Sequence, residues 1–209
     1  MSLRAKKRAE GAAIRRAPGK RIRKPRADAL RNRDLLLEAA KASFGGAGAN
    51  VSLDEIARRA GVGIGTLYRH FPTRDAIVEA VYRREVEQLA GAANRLAAAL
   101  PPADALHAWM RLFVDYIATK RVIAPALKAM VGGASELYAS SGARISKAMA
   151  RMVERAKNAG EIRADADPAD LLRALAGFTS INAGSDWEAS ARRLIDILID
   201  GLRKNARPR

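Results

Sequence analysis

The chain has 209 residues, with 38 Lys+Arg against 22 Asp+Glu, a formal charge of +16 and no cysteine. That length allows one large domain or two small ones with a proper core. The absence of cysteine excludes disulfides, zinc-thiolate sites, thiol nucleophiles and iron–sulfur clusters. His70 and His107 are the two histidines, 37 positions apart, so a multi-histidine metal centre is excluded and no cofactor is expected. No apolar run approaches the roughly 18–20 residues that span a bilayer, and the basic N-terminus lacks the apolar stretch of a secretory signal. A soluble protein of a reducing compartment, the cytoplasm, that meets polyanions is the expectation.

Residues 1–33 carry 13 Lys/Arg against Glu10 and Asp28, a net +11, while the remaining 176 residues carry 25 basic and 20 acidic side chains. The segment 1–27 has few large apolar residues, with Pro18, Gly19 and Pro25 as breakers. It is expected to be a disordered basic arm. Such an arm suits an electrostatic tether to phosphate; a plain solvated tail is the alternative.

From Asp28 onward the pattern is helical. Forty-five residues are Ala, the best helix former, and alternating strand-type runs are absent. A helix is predicted over 28–44, with Leu36, Ala39, Ala40 and Phe44 on one face and Gly45-Gly46 as its end. Ser52-Leu53-Asp54-Glu55 fits a capping box ahead of the stripe Leu53, Ile56, Ala57 and Ala60. Gly61-Val62-Gly63 then leads into a second short helix, Ile64–Phe71, which Pro72 stops. Two short helices joined by a Gly-containing turn form the helix-turn-helix pattern.

Thr73 is expected to cap a long helix over 73–100, with Glu79 and Arg83 as an i,i+4 pair. Further helices are predicted over 104–119, 121–131 and 141–158, the last closed by Gly160. Asp167-Pro168 should open a helix to about Ala183, and Ser185-Asp186-Trp187-Glu188, a second capping-box candidate, should open one to about Leu202. That makes nine helices and an all-α chain.

The words "LLLEAAKASF" (35–44) and "VSLDEIARRAGVGIGTLYRHFPTRDAIVEAV" (51–81) resemble the DNA-binding domain of the TetR/AcrR transcriptional regulators. The resemblance implies a three-helix helix-turn-helix domain, 28–74, followed by a six-helix ligand-binding and dimerisation domain, 75–209. It also implies a homodimeric bacterial regulator, a repressor, on a palindromic double-stranded DNA operator. A small-molecule effector would release it by moving the fourth helix. Family members often carry Lys at the position of Arg74, so the charge is kept.

Leu67 and Phe71 lie one turn apart and should pack inward, leaving Gly65, Thr66, Tyr68 and Arg69 toward a major groove. Arg69 is the candidate for a guanine edge, with a phosphate or solvent contact as the alternative. Thr66 and Tyr68 suit phosphate or a thymine methyl. His70 should contact phosphate or pack. Ser52 can offer helix amides to a phosphate or serve simply as a cap. Arg74 should hold the DNA backbone, and Gly63 and Gly65 should let two backbones approach closely.

Trp109, Met110, Phe113, Tyr116, Met130, Tyr138, Met149 and Met152 could line an effector pocket, Met supplying adaptable surface; ordinary core is the alternative for each. Sparse charge between them makes an apolar or aromatic effector the expectation. The stripes Leu171–Leu175–Phe178 and Leu194–Leu198–Leu202 are candidates for the dimer interface. An architectural, sequence-tolerant DNA binder without effector is the competing reading. No paired-carboxylate motif, triad, phosphate-cradling glycine loop or metal-ligand spacing supports an enzyme.

Overall fold

The computed structural model describes residues 25–47, 51–181 and 186–204. They form α1 (Pro25–Ala47), α2 (Leu53–Ala60), α3 (Ile64–His70), α4 (Arg74–Ala99), α5 (Pro102–Lys128), α6 (Ser135–Asn158), α7 (Pro168–Ile181) and α8 (Trp187–Leu202). No strand occurs among the described residues; one isolated antiparallel bridge joins Ile162 to Arg203. α5 is the central helix, packed most extensively on α4 and touching α1, α6, α7 and α8.

The helices begin and end where local chemistry satisfies their unpaired amides and carbonyls. Thr73 accepts from the Ala76 amide at 3.1 Å at the start of α4. At α7 the Asp167 carboxylate accepts from the amides of Ala169 and Asp170 at 2.8 and 2.9 Å, with Pro168 at the first position, where its missing N–H costs nothing. After α6 the chain leaves through Gly160, whose φ of 72° a side chain would oppose.

Burial follows the apolar stripes. Leu36, Ala40 and Phe44 of α1 meet Ile56 of α2, Leu67 of α3, and Ile77 and Val81 of α4 in one continuous core. Each fully buried Leu, Ile or Phe contributes about 1.5–3 kcal/mol. That core continues through Trp109, Met110 and Val114 of α5 to Met149 and Val153 of α6 and Ile195 of α8.

Three expectations need correction. The segments 104–119 and 121–131 are one helix, α5, so the described residues hold eight helices, with five after the first three. Pro125 lies inside α5; it forfeits its own amide, but its ring faces the exposed side, and the buried stripe of Ile123, Ala126 and Leu127 carries the helix past it. α6 starts at Ser135, a turn and a half before the expected Ser141, because Leu137, Ser141 and Ile145 share one buried face; that packing outweighs the low propensity of Gly142. Pro25 opens α1 rather than breaking it, so the expected arm 1–27 overlaps a helix at its last three residues; 1–24 lie outside the described residues, as does Ser185 of the second capping box. Asp186 precedes α8 without a side-chain cap bond.

Candidate nucleic-acid interface

α2 and α3 meet through a turn whose geometry is set residue by residue. The Ser52 hydroxyl accepts from the Glu55 amide at 3.1 Å, satisfying one first-turn donor of α2. Gly61 closes α2 with φ 64°, in the left-handed region, where a Cβ would be strained. The Val62 amide donates back to Ala57 at 3.0 Å, and Gly63 starts α3 by accepting from Thr66 and Leu67 at 2.8 and 3.1 Å.

Those bonds fix the rotation of α3 about its axis. Leu67 and Phe71 are buried at 0% and 2% exposure in the core they share with α1, α2 and α4. The opposite face presents Ile64, Gly65, Tyr68 and Arg69 to solvent, with Thr66 half-buried at its margin. Tyr68 is 49% exposed, unusual for a phenol ring with a core beside it. Exposed Ile64 was not singled out from the sequence. Its signal was the i,i+4 spacing to Tyr68, which puts two apolar surfaces on one face; apolar contact is how a thymine methyl is read.

The remaining candidates divide. Arg74 turns inward: its guanidinium donates to the Val51 carbonyl and lies 5.5 Å over the Phe44 ring, so its contacts within the chain pin the start of α4 to α1 and to the entry of α2. Beyond the adjoining residues and local helix backbone, nothing comes within 4 Å of the place a Cβ would take at Gly63 or Gly65. Both are exposed. His70 lies off the exposed face, its ring 6.2 Å from that of Phe71, beside a cleft with Arg33 and Glu79. Arg33 lies 5.5 Å over the Phe71 ring. Two ion pairs tie this head to the body, Lys41–Glu85 at 2.8 Å and Arg84–Glu38 at 2.6 Å. Neither carried a sequence signal, since the partners are 44 and 46 residues apart.

Residues 36–81 match the family described as bacterial regulatory proteins, tetR family, and residues 101–204 match the SbtR-like transcriptional regulator C-terminal domain. The TetR transcriptional regulator SCO0520 of Streptomyces coelicolor is 45% identical, with TM-score 0.75 over 83% of this chain and 99% of that one. This chain belongs to the TetR family of transcriptional regulators. A TetR regulatory protein of Mycobacterium vanbaalenii is 36% identical, with TM-score 0.69 over 86% of this chain and 99% of that one. The HTH-type transcriptional regulator SAB2452 of Staphylococcus aureus (strain bovine RF122 / ET3-1) is 39% identical over 62 residues, 29% of this chain. The match spans about a third, 34%, of that relative's length. The TetR family is one of DNA-binding transcription regulators rather than enzymes, and no helix among the described residues is long and apolar enough to cross a membrane.

In the regulatory half of this TetR-family chain, most of the expected pocket residues are core. Trp109, Met110 and Met149 are fully buried, Met152, Tyr116 and Phe113 nearly so, and Met130 and Tyr138 pack against the core at its edge. Trp109 donates its indole N–H to the Leu89 carbonyl at 2.9 Å. The hydroxyls of Tyr82 and Tyr116 share a buried hydrogen bond of 2.9 Å, and burial, then that bond, pushes the Tyr116 phenol far above its ordinary value. Tyr116 borders a cleft between α4 and α5.

The clefts are formed by other residues. A largely apolar one of about 530 Å³ lies between Lys41 and Ala42 of α1, Ala118 and Val122 of α5, and Trp187 of α8. A smaller one of about 300 Å³ lies between α5 and α7, lined by Lys120 and Arg121. Arg121 borders both; its guanidinium donates to the Thr179 carbonyl and stacks 4.0 Å over the Trp187 ring.

The interface stripes also divide. Leu171, Leu175 and Leu202 are buried within the subunit, and Phe178 and Leu198 pack partly against its core. Leu194 remains half-exposed beside Ile197, which is 68% exposed. Ile197 escaped the sequence reading because it falls one position off the stripe that faces inward.

Proposed function

We propose that this chain is a homodimeric bacterial repressor that reads a palindromic operator through α2 and α3 and is released by a small effector. The observation that carries the reading is the two-sided α3. Leu67 and Phe71 hold one side in the core, and Gly65, Tyr68 and Arg69 stand exposed on the other beside Ile64. A major groove admits one such helix, and guanidinium recognises a guanine edge bidentately. Ser52 and Thr66 flank that face and serve phosphate; phosphate contacts position the protein and base contacts choose the site. Residues 28–74 act as the reading head and 75–209 as the responding body.

Dimerisation is assigned to α7 and α8, because α8 leaves Ile197 exposed and Leu194 half-exposed on its outer surface. A two-fold axis there sets two recognition helices about 34–36 Å apart, hence the palindrome. A chromosomal operator makes the cytoplasm the working compartment.

Selection of bound fragments from genomic DNA by the purified protein at physiological salt tests this. A short palindrome enriched about a thousandfold or more over bulk DNA supports the repressor. Featureless enrichment that falls steeply with salt refutes it in favour of the architectural binder that the +11 of residues 1–33 suggests.

A further inference from the structure

Lys120 occupies an unusual position for a lysine. Half-buried, it borders the α5–α7 crevice; its ammonium lies 4.7 Å from the centroid of the Tyr138 ring of α6 and pairs with no carboxylate among the described residues. Lysines ordinarily carry the charge out to water along their flexible stem. Here the ring face offsets part of the desolvation, and a counter-anion would offset more.

The crevice walls specify the rest of the ligand. Beside Lys120 stand Arg121, the apolar surfaces of Ile117, Ala124 and Ala176, and the hydroxyls of Thr179 and Ser180, with no acidic side chain on the lining. Both hydroxyl protons are already committed to backbone carbonyls, Thr179 to Leu175 and Ala176 at 3.0 Å and Ser180 to Ala176 at 2.6 Å. The strong donors on the wall are therefore cationic. The volume of about 300 Å³ falls at the lower end of small-molecule sites.

We infer that the α5–α7 crevice binds a small organic carboxylate with a short apolar or aromatic body, its carboxylate paired with Lys120 and its body against Ile117, Ala124 and Ala176. Burial also lowers the Lys120 pKa, the direction expected of a cation lacking a counter-charge. The larger cleft against α1 offers no such selection, because its Lys41, Glu38 and Glu188 already have ionic partners within the chain. Arg121 links the two clefts, so an anion beside Lys120 acts next to the guanidinium that joins α5 to the end of α7 and the start of α8. This deepens the proposed function by naming the effector class; the binding step itself does not depend on that reading.

Calorimetric titration of the full chain with benzoate, phenylacetate and hexanoate, each compared with its neutral amide, tests the inference. At least one carboxylate should bind about tenfold or more tightly than its amide, and Lys120→Met should abolish that difference. Acetic anhydride labelling of the unaltered protein, read by peptide mass, gives a second readout. The bound carboxylate should protect Lys120 and leave exposed Lys147 reactive. The inference is overturned if none of the three binds, if the amides bind equally, if Lys120→Met retains the difference, or if Lys120 is not protected. Operator selection is measured separately: a palindrome without Lys120-dependent binding removes only this site, and the converse removes only the repressor reading.

Discussion

The buried hydroxyl pair of Tyr82 and Tyr116 couples α4 to α5. The residues are 1% and 5% exposed, their oxygens are 2.9 Å apart, and their rings also pack on Tyr138 and Phe113. Tyr116→Phe keeps the ring contacts and removes one hydroxyl, leaving the Tyr82 O–H buried with no partner. An orphaned buried donor costs about 1–3 kcal/mol, whereas removing both partners together is nearly neutral. Either single variant should therefore lose about 1–2 kcal/mol, and the double Tyr82→Phe/Tyr116→Phe variant should recover most of it. For a chain of this size a loss of 1 kcal/mol shifts the melting temperature by about 2–4 °C. Urea unfolding at one fixed protein concentration measures all four forms, because association would otherwise contribute to apparent stability. Strictly additive losses in the double variant would refute the reasoning, since they would mean each hydroxyl is satisfied independently of the other.

Arg69→Ala should weaken operator binding by about 1–3 kcal/mol and relax the preference at one position; a uniform loss on all sequences in a binding titration would assign Arg69 to phosphate. Arg74→Ala should lower the melting temperature of the free protein, because Val51 and Phe44 lose their shared partner; unchanged stability with weakened DNA binding would return it to a phosphate role. Ile197→Glu puts a charge into the uncovered face of α8 and should give monomers in analytical ultracentrifugation, while an intact dimer would move the interface elsewhere. Asp196 accepts from His107 at 2.6 Å and from Arg111 at 2.8 Å, and those bonds, His107 first, hold its carboxyl below the usual range. A depressed folded pKa stabilises above the unfolded value of about 4 and fades as pH falls below it. The melting difference between the unaltered protein and Asp196→Asn should accordingly narrow on acidification; a constant difference would show that the charge plays no part.

The head was legible because its signals are local. Ser52, Gly61, Gly63 and Thr73 each act within four residues of their own position, and the Leu67/Phe71 spacing alone sets which side of α3 is buried. The all-α class was equally plain from Ala content and apolar spacing. What could not be read depends on meetings between distant segments. The aromatic and methionine residues of α5 and α6 advertise burial, but burial in a core and burial around a ligand leave the same composition. Lys41 and Trp187 face one cleft from positions 146 residues apart in the chain, and nothing near either announces the other. The continuity of α5 was hidden for a related reason: the amide that Pro125 lacks is a local cost, and the apolar stripe that outweighs it is tertiary.

The two ion pairs between α1 and α4 bear on how such regulators can be recombined. Lys41 and Glu38 come from the first helix, while Glu85 and Arg84 lie on the stem of the long helix that enters the body. A graft that exchanges only the first three helices for those of another family member would set foreign side chains opposite Glu85 and Arg84, stranding one charge of each sign. A workable chimera takes its splice point beyond residue 85, so that the reading head travels with its own pair of latches.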